Sequence, residues 1–249
     1  MQANSETRSG PAGGRTWAVV TALFGVAALG VTVAFQLLPP VRRAYPNGDF
    51  ASAMGRFQLA STPEAVQDVF GDPPDPDIVD AMEAANQLDL LLYIPVYGAF
   101  LLAGASMLAG GLRRLTWLVI VPTLAGLAGD VLETNTQLRI TSNPANASAL
   151  LTSLIVGTWM KTFGLAAGAL ACAVVCLLDA PKRSLLAIVG LAPMVGAIAA
   201  RSDPAGRGTA SMVGTGLFWL ALLAAAVFEA IKPGIHEGRE TQTPQPAHS

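Results

Sequence analysis

Six apolar runs, each close to the length of a bilayer-crossing helix, occupy most of this 249-residue chain. They cover residues 17–38, 86–108, 115–138, 149–178, 185–200 and 212–231. About 20 helical residues cross the roughly 30 Å of membrane hydrocarbon. Little sequence is left for a water-facing surface, since only 13% of the residues are charged and the mean hydropathy is +0.50. A soluble domain carries about 25% charged residues. The pattern predicts an all-α fold, a polytopic transmembrane helix bundle of about six spans.

The run at 17–38 is long for a signal-peptide core, and no small-x-small cleavage site follows it, so it reads as a retained first span. A polar tail, 1–16, precedes it. The fifth run, 185–200, is the shortest and contains Pro193. Proline is tolerated in a span when neighbours satisfy the freed carbonyl, and a broken or re-entrant segment is left open there. The polar, proline-containing tail, 232–249, reads as disordered.

Eight basic residues fall on one side of these spans: Arg8, Arg15, Arg113, Arg114, Lys182, Arg183, Lys232 and Arg239. Six fall on the other: Arg42, Arg43, Arg56, Arg139, Arg201 and Arg207. The larger group sits mostly in the shortest connectors, so the positive-inside rule puts both termini in the cytoplasm. Twelve Arg against three Lys, with abundant Ala and Gly, is the composition of a GC-rich bacterial genome. A bacterial inner membrane is the expected location.

Several functions lack their residues. Net charge is −2 and no Lys/Arg cluster occurs, which argues against a nucleic-acid partner. Cys172 and Cys176 lie four apart in an apolar run, too few for a disulfide framework or a zinc site, and read as packing residues. No metal or cofactor is expected. His236 and His248 both lie in the tail, so no Ser–His or Cys–His pair forms, and no Walker-type loop or aspartate-rich diphosphate motif is present.

The one sizeable segment outside the spans, 39–85, is expected to be extracytoplasmic. It is acidic, with Asp49, Glu64, Asp68, Asp72, Asp75, Asp77, Asp80 and Glu83. Ser61 or Thr62 can cap a short helix begun by Pro63 and stopped by Gly71, with Ala65, Val66, Val69 and Phe70 on one side. The run from Asp72 to Asp77 lacks the spacing and glycine of a calcium loop and reads as a turn capping the next helix. That helix is expected to run unbroken from about Ile78 into the second span.

Ionisable residues inside a bilayer are expensive, about 2.5–3.5 kcal/mol each on insertion scales, and are functional candidates by default. Here they are Asp89 in the second span, Asp130 and Glu133 in the third, and Lys161 in the fourth. At 100° per residue, Asp89, Tyr93, Tyr97, Phe100 and Gly104 share one stripe. Thr123, Gly126, Asp130, Glu133 and Gln137 make a second stripe, and Gly157, Lys161, Gly164 and Gly168 a third. Gly164 and Gly168 form the small-xxx-small pattern that lets helices approach closely, so Lys161 should face protein. Because consecutive spans alternate in direction, all four groups are expected in one half of the bilayer, the outer half in this orientation. Fully ionised they sum to −2, a charge that a low-dielectric interior penalises.

The cluster is expected to form a site for a lipidic molecule or a cation, and three further readings of it follow. It can be a structural network that fixes helix register in an accessory subunit. It can belong to a membrane-embedded acid/base enzyme acting on an isoprenoid or other lipid, with Asp130, Glu133, Asp89 and Lys161 as catalytic candidates. Tyr93, Tyr97, Gln137 and Trp159 are then the substrate-binding candidates, with Phe100 beside them. It can serve a small carrier or ion-coupled transporter, although the halves show no internal repeat. Membrane lipids and a lipidic small molecule are the expected partners, and oligomeric state is not readable.

Asp89 with Tyr93 and Tyr97, the element Asp130-Val131-Leu132-Glu133-Thr134-Asn135, and Lys161 resemble a functionally uncharacterised group of small bacterial multispan membrane proteins. That group carries an Asp-x-x-Glu-Asn element in its third span; here Thr134 stands between Glu133 and Asn135. The stretch 57–70 resembles the group's helix ahead of the second span, and the likeness covers 57–163. It implies that the polar stripes act as a unit and supplies no activity.

Overall fold

The computed structural model describes residues 12–109, 115–179, 184–203 and 209–232, and among them there are helices and no strand. Six helices have the length and apolar character to cross a membrane. The protein is a multi-pass membrane protein with an all-α bundle. Leu23, Leu91, Trp117, Leu177, Ile188 and Val213 are each at least 60% exposed. Apolar exposure on this scale is untenable in water and marks the surface that meets lipid.

The first span is α1 (Ala12–Leu37). Residues 39–85, expected to be a loop with one short helix ahead of the helix from about Ile78, form a helical cap. It comprises α2 (Pro39–Ala44), α3 (Phe50–Gln58), α4 (Pro63–Phe70) and the start of α5 (Pro76–Leu88). Two of these helices escaped the sequence reading because they are short and owe their stability to packing. Val41, Phe50, Ala53, Phe57, Val66, Val69 and Phe70 build a core of their own with Ala81, Met82 and Ala85 of α5. Phe57 and Phe70 meet edge to face at 5.0 Å. The α4 helix begins as its sequence requires, with Ala65 N donating to Thr62 Oγ1 at 3.2 Å. It stops at Gly71, whose φ of 87° is open to glycine at little cost. The turn's backbone N–H bonding, helped by Thr62, holds the Glu64 carboxyl below its usual range. Asp75 caps α5 by accepting from Asp77 N at 2.8 Å.

As expected, α5 runs on into the membrane. Residues Asp89–Tyr93 form a single wide π-helical turn, and α6 (Ile94–Ala109) continues beyond it. The third span is α7 (Thr116–Ser142), followed by a 3₁₀ turn, Pro144–Ala149, and then α8 (Leu151–Asp179). The fifth candidate span, Leu185–Ser202, is broken as α9 (Ser184–Val189) and α10 (Ala192–Ser202), with the bend at Gly190-Leu191 just before Pro193. The last span is α11 (Thr209–Ile231). The tail 1–11, the basic pairs Arg113-Arg114 and Lys182-Arg183, Arg207 and the tail 233–249 with its two histidines lie outside the described residues.

Two cores divide the molecule. One, inside the bundle, gathers α1, α6, α8, α9 and α11 around Tyr97, Phe100, Cys172, Phe218 and Leu222. The other is the cap core, which also takes in Ile140 of α7 and Leu151 and Leu154 of α8. Thr158 Oγ1 donates to Gln58 O at 2.9 Å, tying α8 to the end of α3. The cap therefore sits over the ends of α7 and α8, one to two turns from Glu133 and Lys161.

Candidate functional site

The most extensive helix pairing is α7 with α8, and glycine makes its close approach possible. A Cβ on Gly157 would lie 2.7 Å from Glu133 N, and one on Gly126 would lie 2.7 Å from Leu165 N. Gly164 packs on Gly126, Gly168 on Thr123, and Gly129 on the backbone nitrogen of Lys161. The Gly157, Lys161, Gly164 and Gly168 face therefore meets α7, as the small-residue pattern predicts. Backbones this close bring the Lys161 side chain alongside the acids of α7.

Lys161 Nζ reaches Asp130 Oδ1 at 2.7 Å and Glu133 Oε1 at 3.5 Å. Both carboxylates are buried, each 1% exposed. Asp130 Oδ2 accepts from the Tyr97 hydroxyl across the α6–α7 interface. Gln137 Nε2 lies 3.5 Å from Glu133 Oε1. Lys161 bonds Asp130 and Glu133, whereas Asp89 accepts from Thr134 Oγ1 at 2.7 Å. The residue that interrupts the Asp-x-x-Glu-Asn element is thus the one that holds Asp89, while Asn135 is exposed and donates to Val131 O.

The π turn has a geometric effect here. A π turn inserts one residue relative to an α-helix, and such bulges recur at functional sites. Asp89 opens it and Tyr93 closes it. Tyr93 turns toward α1, where its hydroxyl oxygen lies 3.3 Å from Thr32 Oγ1 and its ring meets Phe35 edge-on at 5.4 Å. Tyr97, 5.2 Å from Tyr93 between ring centroids, turns toward Asp130. The single stripe read at 100° per residue thus serves two neighbours.

Trp219, on α11, was not singled out in the sequence. Its ring lies 4.9 Å from Tyr97 and 6.1 Å from Phe100. With Tyr93, Phe100 and Thr32 it lines a cleft of about 200 Å³ between α1, α6 and α11, whose other walls are Gly25, Ala28, Leu29, Gly216, Leu220 and Leu223. Leu29 and Leu220 are 44% and 53% exposed on the lipid-facing surface, so the cleft opens sideways toward acyl chains. Its polar groups are few, chiefly the hydroxyls of exposed Thr32 and half-buried Tyr93. The one clue in the sequence was a Gly216, Trp219, Leu223 face in the last span.

Trp159 is placed elsewhere. Two residues from Lys161 is 200° around the helix, which turns it away from α7. It stacks with Phe163 at 5.9 Å and lies beneath Arg201 at 5.4 Å. The site is therefore a chain of contacts: apolar cleft, Tyr93 and Trp219, Tyr97, Asp130, Lys161, Glu133. Among the described residues no group of three or more His, Cys, Asp or Glu side chains is arranged to hold a metal ion.

Fold and site together define a multi-pass membrane protein with a buried polar cluster beside a lipid-facing cleft. Comparison of the chain with protein-family models, with curated proteins and with solved structures finds no match.

Proposed function

We propose that this protein binds a lipidic molecule in the cleft between α1, α6 and α11, with the molecule's polar end directed at Tyr93 and Thr32 and, behind them, the Tyr97–Asp130–Lys161 cluster. The proposal includes its setting, a bacterial cytoplasmic membrane with both termini in the cytoplasm and the cap outside. The observation that carries the reading is continuity. Tyr93 lines the cleft and meets Tyr97, which donates to Asp130, so an apolar slot ends on a hydrogen-bonded polar network. Ligand sites are typically apolar concavities with a few convergent polar groups.

A second reading rests on the same contacts. A tyrosine hydroxyl, a carboxylate and an ammonium in hydrogen-bonded series are the parts of an acid/base relay, which would make the protein an enzyme on an isoprenoid or other lipid. The two readings differ in whether the lipid leaves chemically altered.

Untargeted lipid mass spectrometry on the purified protein tests both, with Gly216→Leu as the partner of the wild type. A Cβ at Gly216 meets no atom within 4 Å, so a leucine there fills the cleft without disturbing a helix contact. A lipid retained by the wild type and depleted at least tenfold in Gly216→Leu, at equal melting temperature, supports binding. Conversion of that lipid on prolonged incubation supports the enzyme. Equal lipid in both proteins removes the cleft from the account and leaves the cluster as a helix-locking network.

A further inference from the structure

Buried polar atoms without partners are concentrated in one part of this protein. Apart from Asp130 Oδ1, which faces Lys161, those among the described residues are Tyr45 Oη, Asn86 Nδ2, Glu133 Oε2 and Thr141 Oγ1. Tyr45 belongs to the cap, Asn86 to α5, and Glu133 and Thr141 to α7, the helix that Asp89 at the end of α5 meets through Thr134. Two bonds set the register of this α5–α7 seam. Asp89 meets Thr134 and, further into the membrane, Tyr97 meets Asp130, so the helices are antiparallel. One turn toward the cap, Asn86 comes level with Gln137. Glu133, Gln137 and Thr141 follow each other at intervals of four along α7, which keeps them on one face. Asn86, Glu133, Gln137 and Thr141 are each 1% exposed.

The seam has two ends. Its inner end is Glu133, 3.5 Å from Lys161 Nζ. Its outer end adjoins the cap core, which contains the chain neighbours Ala85 and Ile140. Asp130 to Thr141 is about 16 Å along the helix at 1.5 Å per residue, so the strip leads from the ion pair to the cap-side edge of the bundle.

Native proteins seldom bury polar side chains unpaired, and where they do the usual partner is an ordered water making about three hydrogen bonds. The chemistry of the unpaired atoms selects among ligands. Asn86 Nδ2 offers only a donor, Glu133 Oε2 an acceptor, and Thr141 a hydroxyl that is both. A cation finds no use for the amide donor, and an anion meets the Glu133 carboxyl. A lipid head is shut out by the cap on one side and by the α7–α8 glycine contact on the other. Water, donor and acceptor at once, suits all three atoms.

We propose that the Asn86–Glu133–Gln137–Thr141 seam holds a file of bound waters that joins the Asp130–Lys161 pair to the aqueous phase on the cap side. The cluster then exchanges protons with water by a route separate from the lipid-facing cleft. The inference stands whether or not a lipid occupies that cleft.

Two measurements test it. In the wild type in lipid nanodiscs, water-edited solid-state NMR follows magnetisation passing from water to named side chains. The Asn86 and Gln137 amides are expected to build up within about twofold of exposed Gln87, and well ahead of Ala173 in the apolar core. A lag equal to that of Ala173 overturns the proposal. In a Gln137→Cys variant, the new thiol is challenged with Ag⁺, an ion that travels where water does, before unfolding and alkylation. It is expected to be blocked at least tenfold faster than the buried native Cys172 and Cys176. Equal protection of all three thiols in the folded protein means a dry seam and likewise overturns it.

Discussion

Lys161 Nζ stands 2.7 Å from Asp130 Oδ1, and the backbone of that lysine lies where a side chain on Gly129 would have to go. The ion pair is therefore set by how closely two helices approach and not by side-chain reach alone. Shortening the lysine or thickening the helix contact should break the same bond.

Neutralising one partner leaves the other charge buried. Asp130→Asn or Lys161→Met alone is expected to destabilise the detergent-solubilised protein by about 3–5 kcal/mol, and the double variant to recover much of that loss. Thermal melts of the four proteins check this. Strictly additive losses would mean that the two residues do not act as a pair.

The glycine contact predicts a steric contrast. Gly157→Ala pushes a methyl group against Glu133 Cα, 2.9 Å away, and should lower stability by about 1–3 kcal/mol through overpacking. Gly30→Ala, with nothing within 4 Å, should be neutral or slightly stabilising. Equal folded yields from size-exclusion chromatography would contradict the tight α7–α8 seam.

Two threonines on α7 separate site from scaffold. Thr134 donates to Asp89 at 2.7 Å, whereas Thr136 donates to its own helix at Leu132 O. Thr134→Val is expected to cost about 1.5–3 kcal/mol, the range for a hydrogen bond to a charged group, and Thr136→Val much less. Denaturant titration of both variants, with similar losses as the adverse result, decides the matter.

The cap should be held by its core and not by its surface charges. Arg43 bonds Asp77 at 2.8 Å and Asp80 at 3.0 Å, but all three side chains are more than half exposed. Arg43→Ala should therefore cost at most about 1 kcal/mol. Phe57→Ala, at a fully buried position, should cost about 3–5 kcal/mol and open the cap to protease. A protease-resistant Phe57→Ala protein would refute this account of the cap.

Orientation is checked at Ser61, exposed on the cap. A Ser61→Cys variant in intact cells is expected to react with a membrane-impermeant maleimide. Labelling that appears only when the cytoplasmic face is opened reverses the proposed topology.

The spans were legible because length and hydropathy of an apolar run translate directly into membrane crossing. The stripes of α7 and α8 were legible for a similar reason, since a regular helix turns by a known angle and glycine marks the near face. What escaped depends on neighbours. The π turn at Asp89 shifts register by one residue, and nothing in Asp-Leu-Leu-Leu-Tyr announces it. The helices α2 and α3 form because Val41, Phe50 and Phe57 find partners far along the chain. Trp159 and Trp219 look alike as aromatic residues of a span. Only the packing of α11 against α6 puts Trp219 at the cleft and leaves Trp159 beneath Arg201.

The run from Pro76 to Leu108 is 33 residues of nearly continuous helix, about 50 Å long against about 30 Å of hydrocarbon. Its outer end packs into the cap core through Ala81, Met82 and Ala85, and its regular winding is interrupted at the wide turn that opens at Asp89. Asp77 to Asp89 is about 18 Å, so leaning that stretch by about 5° shifts one end against the other by on the order of 1–2 Å. A displacement of that size is enough to part Asp89 from Thr134. One rod of helix thus belongs at once to the core of the cap and, through Asp89, to the polar interior of the bundle.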